Sequence, residues 1–158
     1  MTAASIAEIK SVLKNQEPRE LAELVLRLAR YKKDNKELLS FLLFHEGDLA
    51  GYLREVKEEM DEGFADMNKS SVYLAKKTIR KVLRIANKHI RYTGSKEAEI
   101  ELLLHFCLSL KGSKLPLNKS PVMLNLYNNQ AKKIKAAIES LHEDLQYEYA
   151  RELERLSG

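Results

Sequence analysis

Apolar residues recur along this chain at three- and four-residue intervals, and nowhere do they alternate with polar ones long enough to make a strand. Ser5 and Glu8 form a capping-box pattern ahead of Ile9, Val12 and Leu13, which predicts a short first helix ending near Asn15. Pro18 suits a first helical turn, and Leu21, Leu24, Val25 and Leu28 trace the expected buried stripe of a second helix. Asp34 with Glu37 repeats the capping pattern and opens a third helix, from about Asn35 to His45, with Gly47 as its stop. Leu38, Leu39, Phe41, Leu42, Leu43 and Phe44 surround that helix on nearly every side, so it is expected to be central and buried.

Asp48 caps a fourth helix with Leu49, Tyr52, Leu53, Val56, Met60 and Phe64 on one face and Glu55, Glu58, Glu59, Glu62 and Asp66 on the other. Ser70 or Ser71 starts a fifth helix that runs to about Tyr92, with Gly94 as its stop. Ser95 caps a sixth, again apolar almost all round through Ile100, Leu103, Leu104, Phe106, Cys107 and Leu110, and ended by Gly112. Ser113 to Lys119 is an extended connection, and Ser120-Pro121 starts the last helical stretch. Leu126, Ile134, Ile138, Leu141, Leu145, Tyr149 and Leu156 keep helical spacing there. They predict one long helix or two nearly collinear ones, with Ser140 and Glu143 as the alternative restart.

The fold class that follows is all-α, with seven or eight helices arranged as a layered helical-hairpin array, α-solenoid-like, or as a globular bundle. Two all-round apolar helices lean toward the layered array. With 158 residues the chain is long enough for one core without disulfides, so a single all-helical domain over 1–158 is expected. Gly94-Ser95-Lys96 and Gly112-Ser113-Lys114 recur, but both sit at helix ends, where such residues are common, and no internal repeat follows from them. No apolar run approaches a membrane span or a signal-peptide core, so a cytoplasmic protein is expected. A single cysteine excludes an internal disulfide framework or a cysteine-rich metal site.

Charge changes the picture more than composition does. The net +4 hides segments of −4, +12 and −4, because residues 69–135 hold 15 basic and 3 acidic side chains. Nine Lys or Arg and no acid fall between 69 and 96. On a helical wheel Tyr73, Lys76, Lys77, Arg80, Lys81, Arg84, Lys88 and Arg91 share one arc, opposite Val72, Ala75, Ile79, Val82, Leu83, Ala86 and Ile90. Seven like-charge pairs at i,i+3 or i,i+4 along that arc cost about 0.2–0.5 kcal/mol each, which opposite charge must offset. One source is internal: Glu55, Glu59 and Glu62 of the fourth helix, packed alongside. The other is external, an acidic protein surface or a phosphate backbone. No compact nucleic-acid recognition motif accompanies the basic run.

Metal and nucleophile chemistry find less support. His45, His89, His105 and His142 are scattered over four helices. Glu139-x-x-His142 has the spacing of helical di-iron ligands but lacks a second copy, and an exposed pair is the expected state. Glu97, Glu101 and His105 share one face of the sixth helix, where a hydrogen-bonded histidine in or near the core is expected rather than a metal ligand. Cys107, set between Phe106 and Leu108, reads as a buried and inert thiol. No phosphate-binding glycine loop, nucleophile elbow or zinc-protease motif occurs, so no cofactor is expected.

The stretch from Tyr73 to Lys111, with Lys76-Lys77-x-x-Arg80-Lys81-x-x-Arg84 leading into a helix containing His105-Phe106-Cys107, resembles uncharacterised small all-helical bacterial proteins. The resemblance extends from the Glu37–Phe44 helix to Leu145-Gln146-Tyr147. It implies a bacterial cytoplasmic protein and carries no activity or site residues.

The function expected from the sequence is a non-enzymatic binding or assembly module that uses the basic arc as its contact surface, with an acidic protein surface or a second copy as partner. The alternative is a nucleic-acid-associated protein using the same arc, and a small enzyme with an unrecognised site comes third. Tyr127, Tyr147, Tyr149 and Leu153, spread around the C-terminal helical stretch, would favour a homodimer if they stayed uncovered.

Overall fold

Five helices begin where a side chain accepts from an otherwise orphaned backbone N–H of the first turn. Ser5, Asp48, Ser71, Ser95 and Ser120 accept from Glu8, Gly51, Leu74, Ala98 and Met123 respectively. In the computed structural model, which describes residues 1–157, these starts belong to an all-α chain of eight helices. They are α1 (Ile6–Leu13), α2 (Pro18–Tyr31), α3 (Lys33–Ser40), α4 (Leu49–Ala65), α5 (Val72–Thr93), α6 (Lys96–Gly112), α7 (Pro121–Glu139) and α8 (Glu143–Ser157). A π-helical turn, Phe41–His45, continues α3, and a 3-10 turn, Leu117–Lys119, occupies the predicted loop. Contacts divide the chain into two units, Met1–Phe44 and His45–Gly158.

The second unit is built around α6. Eight of its residues are buried, including Ile100, Leu102, Leu103, Phe106 and Leu110, and it packs against α4, α5, α7 and α8. Cross-contacts give the directions. Gly63 near the end of α4 meets the middle of α5: a Cβ there would stand 2.9 Å from Val82 Cγ2, so the missing side chain lets the two helices pack closely. Lys57 and Asp61 of α4 reach Glu101 and His105 of α6 in the same order, so those two helices run parallel. Tyr127 at the start of α7 donates to the Leu156 carbonyl at the end of α8 (3.3 Å), so the C-terminal helices form an antiparallel pair.

That pairing corrects the collinear expectation. The break at Ser140–His142 turns the chain back, and α8 packs on α6 as well, with Tyr149 donating to Glu101 and Lys111 to the Arg155 carbonyl. The turn also covers Tyr127, Tyr149 and Leu153, which are only partly exposed. Tyr147 alone of the four stands open, so the C-terminal stretch offers no broad apolar face for a dimer.

The first unit departs from expectation more sharply. Its capping box at Ser5 and Glu8 forms as predicted, and Pro18 opens α2. The third helix starts at Lys33, however, after Lys32 as the only residue left between the helices, and Asp34 lies in the first turn instead of capping it. Asn35 Nδ2 donates to the Leu28 carbonyl (2.8 Å) and ties α3 back onto α2 as a helical hairpin. Neither the stripe of α2 nor the all-round apolar segment from Leu38 to Phe44 is buried. Leu28 is 61% exposed and Phe44 77%, and only Phe41 is enclosed. Three short helices supply too few layers to cover each other, so an apolar circumference here does not mark a core helix.

Candidate interaction face on helix α5

α5 is fixed at both ends. Ser71 caps its first turn, and Gly94 ends it in the left-handed conformation (φ 60°), with its N–H bonded to the Ile90 carbonyl at 3.1 Å. One side of the helix is pinned into the second unit by Val72, Ala75, Ile79, Val82 and Ala86, all buried. The opposite side follows from the 100° step per residue. Tyr73, Lys77, Arg80, Lys81, Arg84 and Arg91 are exposed, and Lys76 and Lys88 are half-buried at the edges. Lys76 to Arg91 spans about 22 Å of helix axis at 1.5 Å per residue, so the arc is a continuous basic ridge.

Among the described residues, the acidic helix, one of the two candidate sources of counter-charge, supplies no ion pair to six of the seven cations of the ridge. Among the described residues, no ion pair engages Lys76, Lys77, Arg80, Lys81, Arg84 or Arg91. The paired side chains of α4 go elsewhere: Glu59 lies 3.2 Å from His89 Nε2, Asp61 2.7 Å from His105 Nε2, and Lys57 bonds Glu101 at 2.7 Å. Lys76 rests 5.7 Å from the centroid of the Tyr73 ring, a weak attraction at an exposed site. Tyr73 itself is 78% exposed, an aromatic face at the head of the ridge.

Sequence spacing gave no sign of the polar cluster between α4 and α5. The Tyr52 hydroxyl and His89 Nδ1 are 2.5 Å apart, and Glu59 stands at the other ring nitrogen. The Tyr92 ring meets His89 edge-on at 5.5 Å, and His45 lies 5.4 Å from the Tyr52 ring. An acid, an imidazole and a hydroxyl in line resemble a catalytic relay. Tyr52 and His89 are less than a tenth exposed, and the cluster is a polar clamp joining two helices. Only tertiary packing brings residues 37 apart into this contact.

Elsewhere a cavity of about 410 Å³ lies between α4, α6 and α8, with Lys57, Glu101, His105 and Tyr149 in its walls. Those polar groups already bond one another or, for His105, Asp61. Burial, then the negative charges of Glu101 and Glu97, push the Tyr149 phenol up to about 12, so it is a poor proton donor at neutral pH. His105 is hydrogen-bonded at the edge of the core, as its position on α6 suggested, and Glu139 and His142 are exposed. No group of three His, Cys, Asp or Glu among the described residues is placed to hold a metal ion. Among those residues, too, no helix is long and apolar enough to cross a membrane.

Cys107 is enclosed in α6, and burial pushes its thiol up to about 12, far from the thiolate that reacts. A disulfide reagent at pH 8 should therefore label the folded protein very slowly and the unfolded chain within minutes. Native labelling as fast as a free thiol would show that α6 is open to solvent.

No family model, curated protein or solved structure matches the chain.

Proposed function

We propose that this protein is a non-enzymatic helical binding module whose contact surface is the basic ridge of α5, and that its partner presents an acidic protein surface. The observation that carries the reading is the absence of any ion pair, among the described residues, for six cations aligned on one exposed helix face. The five like-charge pairs among them at helical spacing cost on the order of 1–2.5 kcal/mol in helix-surface repulsion, which a docked acidic partner offsets and solvent only screens. The packed underside of α5 holds the ridge rigid, so little ordering is needed on binding. The bonds among Lys57, Glu101 and Tyr149 in the cavity wall and the neutral, buried Cys107 thiol fit a role without chemistry.

Nucleic acid is the second reading, and exposed Tyr73 beside Lys76 is the observation that favours it, as a stacking platform next to charge. Poly-L-glutamate and a mixed-sequence 20-nucleotide DNA, single- and double-stranded, distinguish the two in titrations at 50 and 200 mM salt. Poly-L-glutamate is expected to bind more tightly, with affinity falling as salt rises. Arg80→Ala with Arg84→Ala should weaken it at least tenfold, and Lys132→Ala with Lys133→Ala, exposed cations on α7, should not. Tighter binding of DNA with a steep salt slope transfers the ridge to nucleic acid. No binding of any of these at 50 mM salt removes the ridge as a contact surface.

A further inference from the structure

Between Ile6 and Phe44 thirteen large apolar side chains are more than a third exposed. They lie on all three helices of the first unit and on the π-helical turn. The α2–α3 hairpin holds the central part. Val25, Leu28, Leu38, Leu39 and Leu42 line an apolar groove of about 230 Å³, and Leu24 lies beside them on α2.

The polar edge of that face says what covers it. Glu20, Glu23, Arg27 and Arg30 line a second groove together with Leu24, so all four charges lie on one flank of the apolar stripe. Of these four, the acids occupy the first half of α2 and the bases the second; Arg19, the remaining base of the helix, stands one turn before Glu23. When two helices pair antiparallel about a two-fold axis, each flank meets its own copy in reverse order. With the axis at Val25, Glu23 then faces Arg27 of the second copy, and Glu20 faces Arg30. A parallel pair would instead set this flank against the opposite one, where Ala22 and Ala29 offer no charge. Charges beside an apolar seam choose partner and orientation in this way. Within the described chain Arg27 and Arg30 have no ion pair, and Glu23 has only a solvated contact with Arg19 at 3.6 Å. The helix dipole also favours acids early and bases late, but it does not require them on one flank of an apolar seam.

We infer that the chain is a homodimer in which two α2–α3 hairpins pack antiparallel about a two-fold axis near Val25, forming a four-helix bundle. This surface is separate from the α5 ridge, so either assignment can fail without the other. Sedimentation of the full chain at 10–100 µM should give twice its 18.2 kDa. Leu24→Glu with Leu28→Glu should return a monomer with unchanged helical circular dichroism, because both side chains are largely open within one chain. Glu20→Arg with Glu23→Arg, or Arg27→Glu with Arg30→Glu, should each raise the dimer dissociation constant at least tenfold. All four reversals together should restore it to within a few-fold of the native value. A monomer at 100 µM, flotation of the chain with anionic vesicles in place of dimerisation, or a dimer indifferent to the two-site reversals overturns the proposal.

Discussion

Replacing Phe106 by alanine should cost about 3–5 kcal/mol of stability, the range found when a large aromatic is cut out of a well-packed core. Phe106 is wholly enclosed on α6, and its ring lies 5.8 Å from that of Phe64, so the substitution removes contacts between the central helix and α4 as well as apolar burial. A chain of this size has about 5–15 kcal/mol in total, so the loss is a large fraction of what holds it folded. Thermal unfolding followed by circular dichroism should move down by on the order of 10 °C or more. Tyr147→Ala, at a residue 71% exposed on α8, should change stability by less than about 0.5 kcal/mol and serves as the control. A Phe106→Ala loss below about 1 kcal/mol would mean that α6 is not the enclosed centre of its unit.

The enclosure of α6 was legible because it needs only local information and enough neighbours. Apolar residues run round its circumference, and four helices of the same unit stand beside it. The segment from Leu38 to Phe44 carries the same pattern and is open, because circumference tells how much apolar surface a helix has and not what is available to cover it. Caps were legible for the same local reason: Ser5, Asp48, Ser71, Ser95 and Ser120 act within three residues of themselves. Asp34 failed as a cap because α2 runs on to Tyr31, a boundary set by the pairing of α2 with α3 and not by Asp34. The α7–α8 reversal was hidden because Ser140–His142 contains neither glycine nor proline. The geometry of the α5 ridge followed from periodicity alone. Which α4 carboxylate meets which base did not, because that depends on side-chain reach across a helix pair. Glu59 turning to His89 left no trace in the spacing.

Reversing two charges at the middle of the ridge, Arg80→Glu with Arg84→Glu, should raise stability and abolish docking together. Arg80 lies at helical spacing from Lys76 and Lys77, and Arg84 from Lys81 and Lys88. Four of the seven repulsive pairs therefore become attractive, and the 80–84, 77–81 and 88–91 pairs stay like-charged. Each pair swings by about 0.4–1 kcal/mol before screening, and solvation of an exposed face reduces the sum to about 1–2 kcal/mol. Binding of poly-L-glutamate should fall by about a hundredfold or more, since two attractive contacts become two repulsive ones on a rigid face. The opposite signs make the test informative. A ridge kept for structure is stabilised by its own charges, and reversing them destabilises the chain. A ridge kept for a partner is held against its own repulsion, and relieving that repulsion stabilises the free protein while removing the contact. A lower melting temperature for the reversed variant would mean that the cations already find their counter-charge within the chain, and the docking assignment would lose its basis.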